Sequence, residues 1–272
     1  MRDFHFSQAS LQDYLACPRR FKLRYISRQP WPSQVADPEE AFELHLRQGA
    51  ALHRLIQQDC LGMPRDELTR IAQDEPLSTW WKRYLEFPLA DLPARRLPEV
   101  ELSATLDGNR VVGKFDLLAF EPGGRFVIVD WKTERYPPAR DQLAARMQTV
   151  LYPLLLAEAG EDYNLGEKIE PANIEMVYWF SETPQNPQHF SYDRETHRSN
   201  RGRVESLLAE ILDREQDDFP LTGDETRCKF CTYRSLCKRG SQAGKIDPME
   251  GVVEEIDPYF DLDFDSLPEI LY

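Results

Sequence analysis

The chain has 272 residues, of which 41% are hydrophobic, 29% charged and 11% aromatic, and its net charge is −14. That composition excludes a disordered chain, and the length removes any need for disulfide staples around a small core. The acidic surplus argues against a protein that coats nucleic acid through its overall charge.

Residues 1–5 lack a basic segment followed by an apolar run, and no stretch approaches the roughly 20 apolar residues of a bilayer span. A soluble, cytoplasmic protein with no membrane partner is expected. Residues 7–28 are predicted to form a helix opened by Ser7 or Ser10, with Leu11, Tyr14, Leu15 and Phe21 as its apolar stripe. Arg19, Arg20, Lys22, Arg24 and Arg28 make it the most basic stretch. A Pro-interrupted loop, 29–37, precedes a second helix over 38–59 with Pro38, Glu39 and Glu40 at its start. Two shorter helices are expected at 64–75 and 77–87, ended by Pro88, Pro93 and Pro98.

The pattern changes near residue 99. Glu99–Leu106 and Arg110–Phe120 read as strands about a tight turn at Asp107-Gly108-Asn109. After Pro122-Gly123-Gly124, Arg125–Lys132 has the nearly continuous apolar content of a central strand. Residues 139–159 return to helix, which Pro153 is expected to kink at Tyr152. Ile174–Phe180 is a buried strand, 181–192 a loop with an edge strand, and 195–216 a polar-faced helix. The order predicts an α/β or α+β fold about one central sheet. It forms a single domain over 1–245, with a helical part at 7–98, the sheet and its helix at 99–180, and a helix and cysteine knuckle at 195–240. Residues 246–272 hold nine acids, no lysine or arginine, and a repeated aromatic–acid pattern, and form an acidic tail.

Five cysteines with no export signal argue against a disulfide framework. Cys228, Cys231 and Cys237 form C-x2-C-x5-C, a turn that brings thiolates onto one metal centre. Cys17 or Cys60 can supply the fourth ligand. Cys17, beside a helix-ending Pro18, is favoured, because Cys60 closes an amphipathic pattern and reads as a small buried hydrophobe. Four thiolates suit zinc or an iron–sulfur cluster.

Chemistry concentrates in GKFDLLAF-EPGG-RFVIVDWKT. Alternation puts Asp130 and Lys132 on one face of their strand, and Lys114, Asp116 and Leu118 on one face of the strand before it. An odd loop centred on Gly123 pairs Phe120 with Phe126, Leu118 with Ile128 and Asp116 with Asp130, the carboxylates' Cβ atoms about 5 Å apart. Two carboxylates that close repel unless a hard divalent cation joins them. Lys132 on the same face can orient water or stabilise charge on a phosphate.

These residues resemble a known family. Gly113-x-x-Asp116, Asp130-x-Lys132 and Gln148-x3-Tyr152 on the following helix are similar to the motifs of the PD-(D/E)XK nuclease superfamily, and more narrowly of the RecB-like exonuclease group. Gly49-x3-His53 in RQGAALHRLI resembles that group's helix motif. Cys17 with Cys228, Cys231 and Cys237 resembles its iron–sulfur branch, as does the opening FSQASLQDYLACPRRFKLRYI. That branch includes AddB-type helicase-nucleases and CRISPR-associated exonucleases. The superfamily's eponymous proline is absent, since Lys114-Phe115 precede Asp116.

The resemblance implies a restriction-endonuclease-like core with a mixed sheet between helices. It implies a DNA nuclease, an exonuclease on single-stranded or end-bearing DNA, in repair, recombination or CRISPR-type processing. Asp116, Asp130 and His53 would hold Mg²⁺ or Mn²⁺, Lys132 would be the catalytic lysine, and Gln148 and Tyr152 would position DNA or the catalytic groups. Cys17, Cys228, Cys231 and Cys237 would hold a [4Fe–4S] cluster that clamps the N-terminal helix onto the knuckle. DNA is the expected partner, and a helicase or other DNA-processing protein is a candidate one. The alternative is a non-catalytic DNA-binding or assembly subunit. The basic residues around Cys17 and the knuckle, with Tyr25, Phe230 and Tyr233, offer a surface for DNA.

Overall fold

The computed structural model describes residues 4–29, 38–215, 218–229 and 231–240. Expectations for loop residues 30–37, for Phe230 and for the tail at 246–272 lie outside the described residues.

The chain opens on a two-residue strand, β1 (Phe6–Ser7), which the helical pattern did not reveal. Helix α1 (Gln8–Ala16) follows. Ser7 caps it reciprocally: Ser10 N donates to Ser7 Oγ and Ser7 N donates to Ser10 Oγ. The single helix expected over 7–28 is broken. Pro18 disfavours helical backbone at the residue before it, and Cys17 is extended (φ −162°, ψ 109°). Helix α2 (Pro18–Phe21) and a π-helical turn (Lys22–Ile26) complete the segment. Next come α3 (Pro38–Cys60), α4 (Arg65–Ile71) and α5 (Leu77–Leu85), close to their expected bounds.

The sheet begins with β2 (Arg95–Leu106) and β3 (Asn109–Phe120). It continues with β4 (Phe126–Lys132). Two helices then replace the one expected over 139–159, α6 (Arg140–Ala145) and α7 (Met147–Ala159), separated by an extended Arg146 (φ −61°, ψ 143°). Helix α7 runs through Pro153 as one element. Strands β5 (Ile174–Phe180) and β6 (Gln188–Ser191) and helix α8 (Arg194–Asp213) complete the core.

Among the described residues six strands form one mixed sheet in which β4 and β5 are parallel and β2, β3 and β4 antiparallel. One core layer packs α1, α7 and α8 on Phe115, Leu118, Ile128 and Tyr178. The other packs α3, α4 and α5 on Leu117, Val129, Trp131 and Trp179. This is an α/β sheet sandwiched by helices.

One edge of β3 is shared. Strand β2 occupies the opposite edge along nearly its whole length. Strand β1 pairs in parallel at Val111 and Val112, and β4 pairs only from Leu117 to Phe120. Between them, Gly113–Asp116 have no strand partner on that edge among the described residues.

Candidate active site

The hairpin register matches expectation at Phe120–Phe126 and Leu118–Ile128, and Gly123 takes the left-handed conformation (φ 75°). It stops at Leu117–Val129. Asp116 and Asp130 are therefore not a ladder pair. The Trp131 N–H donates instead to Asp116 Oδ2 at 2.8 Å.

The expected sharing of a face by Lys114, Asp116 and Leu118 also fails. Phe115 and Leu118 lie in one core layer and Leu117 in the other, so alternation slips by one residue at Asp116. Strand β2 is disturbed at the same level: its ladder skips Glu99, which has positive φ (57°) and pairs through its carboxylate with Lys114 Nζ. Irregular backbone on both sides of Asp116 frees its carboxylate from the plain pleat.

That freedom joins groups from opposite faces of the sheet. His53, on α3, lies with Nδ1 3.4 Å from Asp116 Oδ1. Lys132 lies with Nζ 2.6 Å from Asp130 Oδ2, and both side chains are almost wholly buried. Lys132 Nζ also donates to Gln148 Oε1 at 3.1 Å. Gln148 Nε2 lies 3.3 Å from Asp130 Oδ1 and 3.4 Å from the Tyr152 hydroxyl. All six residues expected from the DNA-cleaving motifs thus converge on the fork where β4 leaves β3.

Close backbone approach brings the helices in. A Cβ on Gly113 would stand 2.6 Å from Leu155 Cδ1 and 3.3 Å from the Tyr152 ring. The bare backbone of β3 lets α7 settle on the sheet. A Cβ on Gly49 would stand 3.0 Å from Thr133 Oγ1, so α3 meets the end of β4 in the same way. The break at Arg146 has tertiary causes. Met147 N donates to Gln12 Oε1 on α1, and Arg146 pairs with Glu134 just beyond β4. It starts α7 one residue before Gln148.

Burial disfavours charge on Asp116, but His53, their hydrogen bond, Lys132 and the Trp131 N–H outweigh it and hold this carboxyl below the usual carboxylate range. Burial pushes Asp130 up to about 6, aided by Asp116 and opposed by Lys132. For His53, burial works against protonation, and the charges of Asp116 and Asp130 overcome it, raising the imidazole to about 9.

Among the described residues no group of three or more His, Cys, Asp or Glu side chains is arranged to hold a metal ion. The donor chemistry nevertheless fits a hard divalent cation. Asp130 Oδ2 is buried, with the Lys132 ammonium 2.6 Å away as its partner.

The four expected cluster cysteines come from both ends of the described chain. Burial raises the Cys231 and Cys237 thiols, and both feel Cys17 and Cys228. All four are free thiols, and Arg239 donates to Cys228 Sγ at 3.4 Å. Cys60 lies elsewhere, with Sγ 3.9 Å from the Tyr84 hydroxyl. The basic residues nearby are largely engaged: Arg20 and Arg24 grip Asp13, and Arg227 pairs with Asp224.

Sequence reasoning missed Thr149 and Tyr178, whose hydroxyls lie 2.8 Å apart, the Tyr178 ring facing the Lys132 ammonium. An aromatic at the Tyr178 position reads as ordinary strand core, and only the register, which sets Tyr178 beside Asp130, distinguishes it.

A mixed sheet between helices carries a carboxylate pair and a lysine where its strands fork, and the class of protein follows from comparison. The profile of the PD-(D/E)XK nuclease superfamily matches residues 5–238, and the chain belongs to that superfamily. A crystal structure of a protein named "Putative exonuclease" from Eubacterium rectale superposes with a TM-score of 0.55 at 11% identity, covering 87% of this chain and 88% of that one. That likeness shows the fold alone. A second structure, SSO0001, gives a TM-score of 0.39 at 13% identity over 86% of each chain, too distant to carry an argument. No curated protein matches the chain. Among the described residues no helix is long and apolar enough to cross a membrane.

Proposed function

We propose that this protein is a metal-dependent DNA nuclease of the RecB-like group, acting as an exonuclease on single-stranded or end-bearing DNA. The observation that carries the reading is the convergence of His53, Asp116, Asp130, Lys132 and Gln148, drawn from both faces of the sheet, on one fork. Asp116, Asp130 and His53 would hold Mg²⁺ or Mn²⁺, which when bound supplies a deprotonated water and polarises the scissile phosphate. Lys132 stabilises negative charge on that phosphate. Gln148 orients Lys132 and Asp130 together, and Tyr152 fixes the Gln148 amide.

The same reading assigns a [4Fe–4S] cluster to Cys17, Cys228, Cys231 and Cys237. What supports it is an all-sulfur donor set from the two ends of one domain, suited to iron or zinc. Broad visible absorption and bound iron in anaerobically purified protein are expected, and a colourless zinc protein would refute the assignment.

The deciding experiment is cleavage of end-labelled single- and double-stranded DNA with Mg²⁺ or Mn²⁺, beside Lys132→Ala. Cleavage by the parent and none by the variant is the expected result, and the label position gives polarity. Equal cleavage by both would remove Lys132 from the chemistry. Silence from both would replace this reading with that of a DNA-binding subunit of a helicase complex.

A further inference from the structure

We propose that Tyr178 is the positioning residue for the Lys132 ammonium, its ring forming the floor on which that charge rests. The inference deepens the nuclease reading and rests on it for the role of Lys132. Lys132 Nζ stands 5.7 Å from the centre of the Tyr178 ring, within reach of the attraction between a cation and an aromatic face. Tyr178 is fully buried and lies directly beside Asp130 in the parallel β4–β5 ladder. The Phe190 ring crosses it edge-on at 5.9 Å. The floor is therefore fixed from two sides.

The direction of its hydroxyl follows from counting protons. Thr149 Oγ1 has one hydrogen and donates it to Leu143 O at 2.5 Å. The contact between Thr149 Oγ1 and the Tyr178 hydroxyl, 2.8 Å, must then be a donation from Tyr178. The hydroxyl is thus turned toward α7, and the ring face is what Lys132 meets. Burial, with the nearby Asp130 charge, keeps this phenol protonated.

One turn of α7 meets both the ammonium and its aromatic partner. Gln148 accepts a hydrogen bond from the ammonium directly, and Thr149 takes the Tyr178 hydroxyl, turning it away from Lys132. The flexible lysine stem has many rotamers, and a fixed floor limits them before substrate arrives.

The test compares Tyr178→Leu, which removes the aromatic face, with Tyr178→Phe, which keeps it and leaves Thr149 bonded to Leu143. If Tyr178→Leu shows no cooperative melt, Tyr178→Met replaces it. The aliphatic variant is expected to lower kcat about tenfold or more with KM within about twofold, and Tyr178→Phe to stay near the parent. The Lys132 ε-methylene signals are read in ¹³C-lysine-labelled protein and assigned with Lys132→Arg. Ring-current shifts are expected in the parent and in Tyr178→Phe and lost in Tyr178→Leu. A folded aliphatic variant with parental kcat, or with unmoved Lys132 signals, overturns the proposal. If the parent does not cleave DNA, the nuclease reading fails and the Lys132 signals alone decide: loss of the shifts supports the positioning, and their persistence overturns it.

Discussion

The Asp116 carboxylate accepts the backbone N–H of Trp131 at 2.8 Å, where a continued ladder would offer a carbonyl. A side chain thus ends the pairing of β3 with β4 and holds the fork open. Asp116→Asn retains an oxygen for that bond and loses the charge. Asp116→Ala loses both and strands the N–H, at a cost of about 1–3 kcal/mol. Both variants are expected to abolish cleavage, and only the alanine to unfold earlier in urea. Equal stability would show that the bond does not hold the fork.

The raised His53 gives the metal-free protein a pH signature. A histidine with pKa about 9 when folded and 6.5 when unfolded contributes stability that is complete below pH 6.5 and is lost as pH rises through 9. The side chain is 32% exposed, so solvent screens the effect. Thermal unfolding of chelator-treated protein should show Tm falling between pH 6.5 and 9 more steeply in the parent than in His53→Asn. Parallel curves would place the titration elsewhere.

Removing Lys132 has a structural price apart from catalysis. Lys132→Ala leaves the Asp130 carboxylate buried without its ion pair, a loss of about 3–5 kcal/mol. Adding Asp130→Asn to Lys132→Ala should restore much of that stability and none of the activity. A double variant no more stable than Lys132→Ala would mean the pair is not coupled.

Gly113 sets how closely α7 approaches the sheet. Gly113→Ala would overlap Leu155 in a packed core, destabilising by about 1–3 kcal/mol. Because α7 carries Gln148, cleavage should fall even at temperatures where the variant is folded. Full activity with full stability would show that α7 yields without disturbing the site.

The two isolated cysteines separate cluster from core. On the proposed cluster, Cys17→Ala is expected to lose iron together with stability, whereas Cys60→Ala, acting on the layer around Tyr84, should keep its iron. Iron content and a melting curve for each variant check this. Iron retained by Cys17→Ala would sink the assignment of that ligand.

Much of this layout was legible because it follows local rules. The Gly123 loop predicted the Leu118–Ile128 pairing, and the motifs named six residues that meet at the fork. What escaped were places where a side chain overrules a periodic backbone. The Asp116–Trp131 bond ends a ladder that alternation alone would continue to Asp130. The break at Cys17 had a local signal in Pro18. The break at Arg146 had none, since its causes are Gln12, 135 residues from Met147, and Glu134, 12 residues away and beyond the reach of a helical period. Strand β1 is two residues long, too short for any period to register.

Strand β1 also sets a schedule for synthesis. Phe6 pairs with Val111, so the first strand made must wait for more than a hundred residues to emerge before its partner exists. Gln12 waits longer still for Met147, the residue next to Gln148. Contacts this distant in sequence form late. A ribosome-bound chain short of α7 therefore has Asp116, Asp130 and Lys132 but not the helix that orients them. On the proposed reading, cleaving power arrives only when most of the domain has been made, and a truncated nascent chain is harmless to DNA.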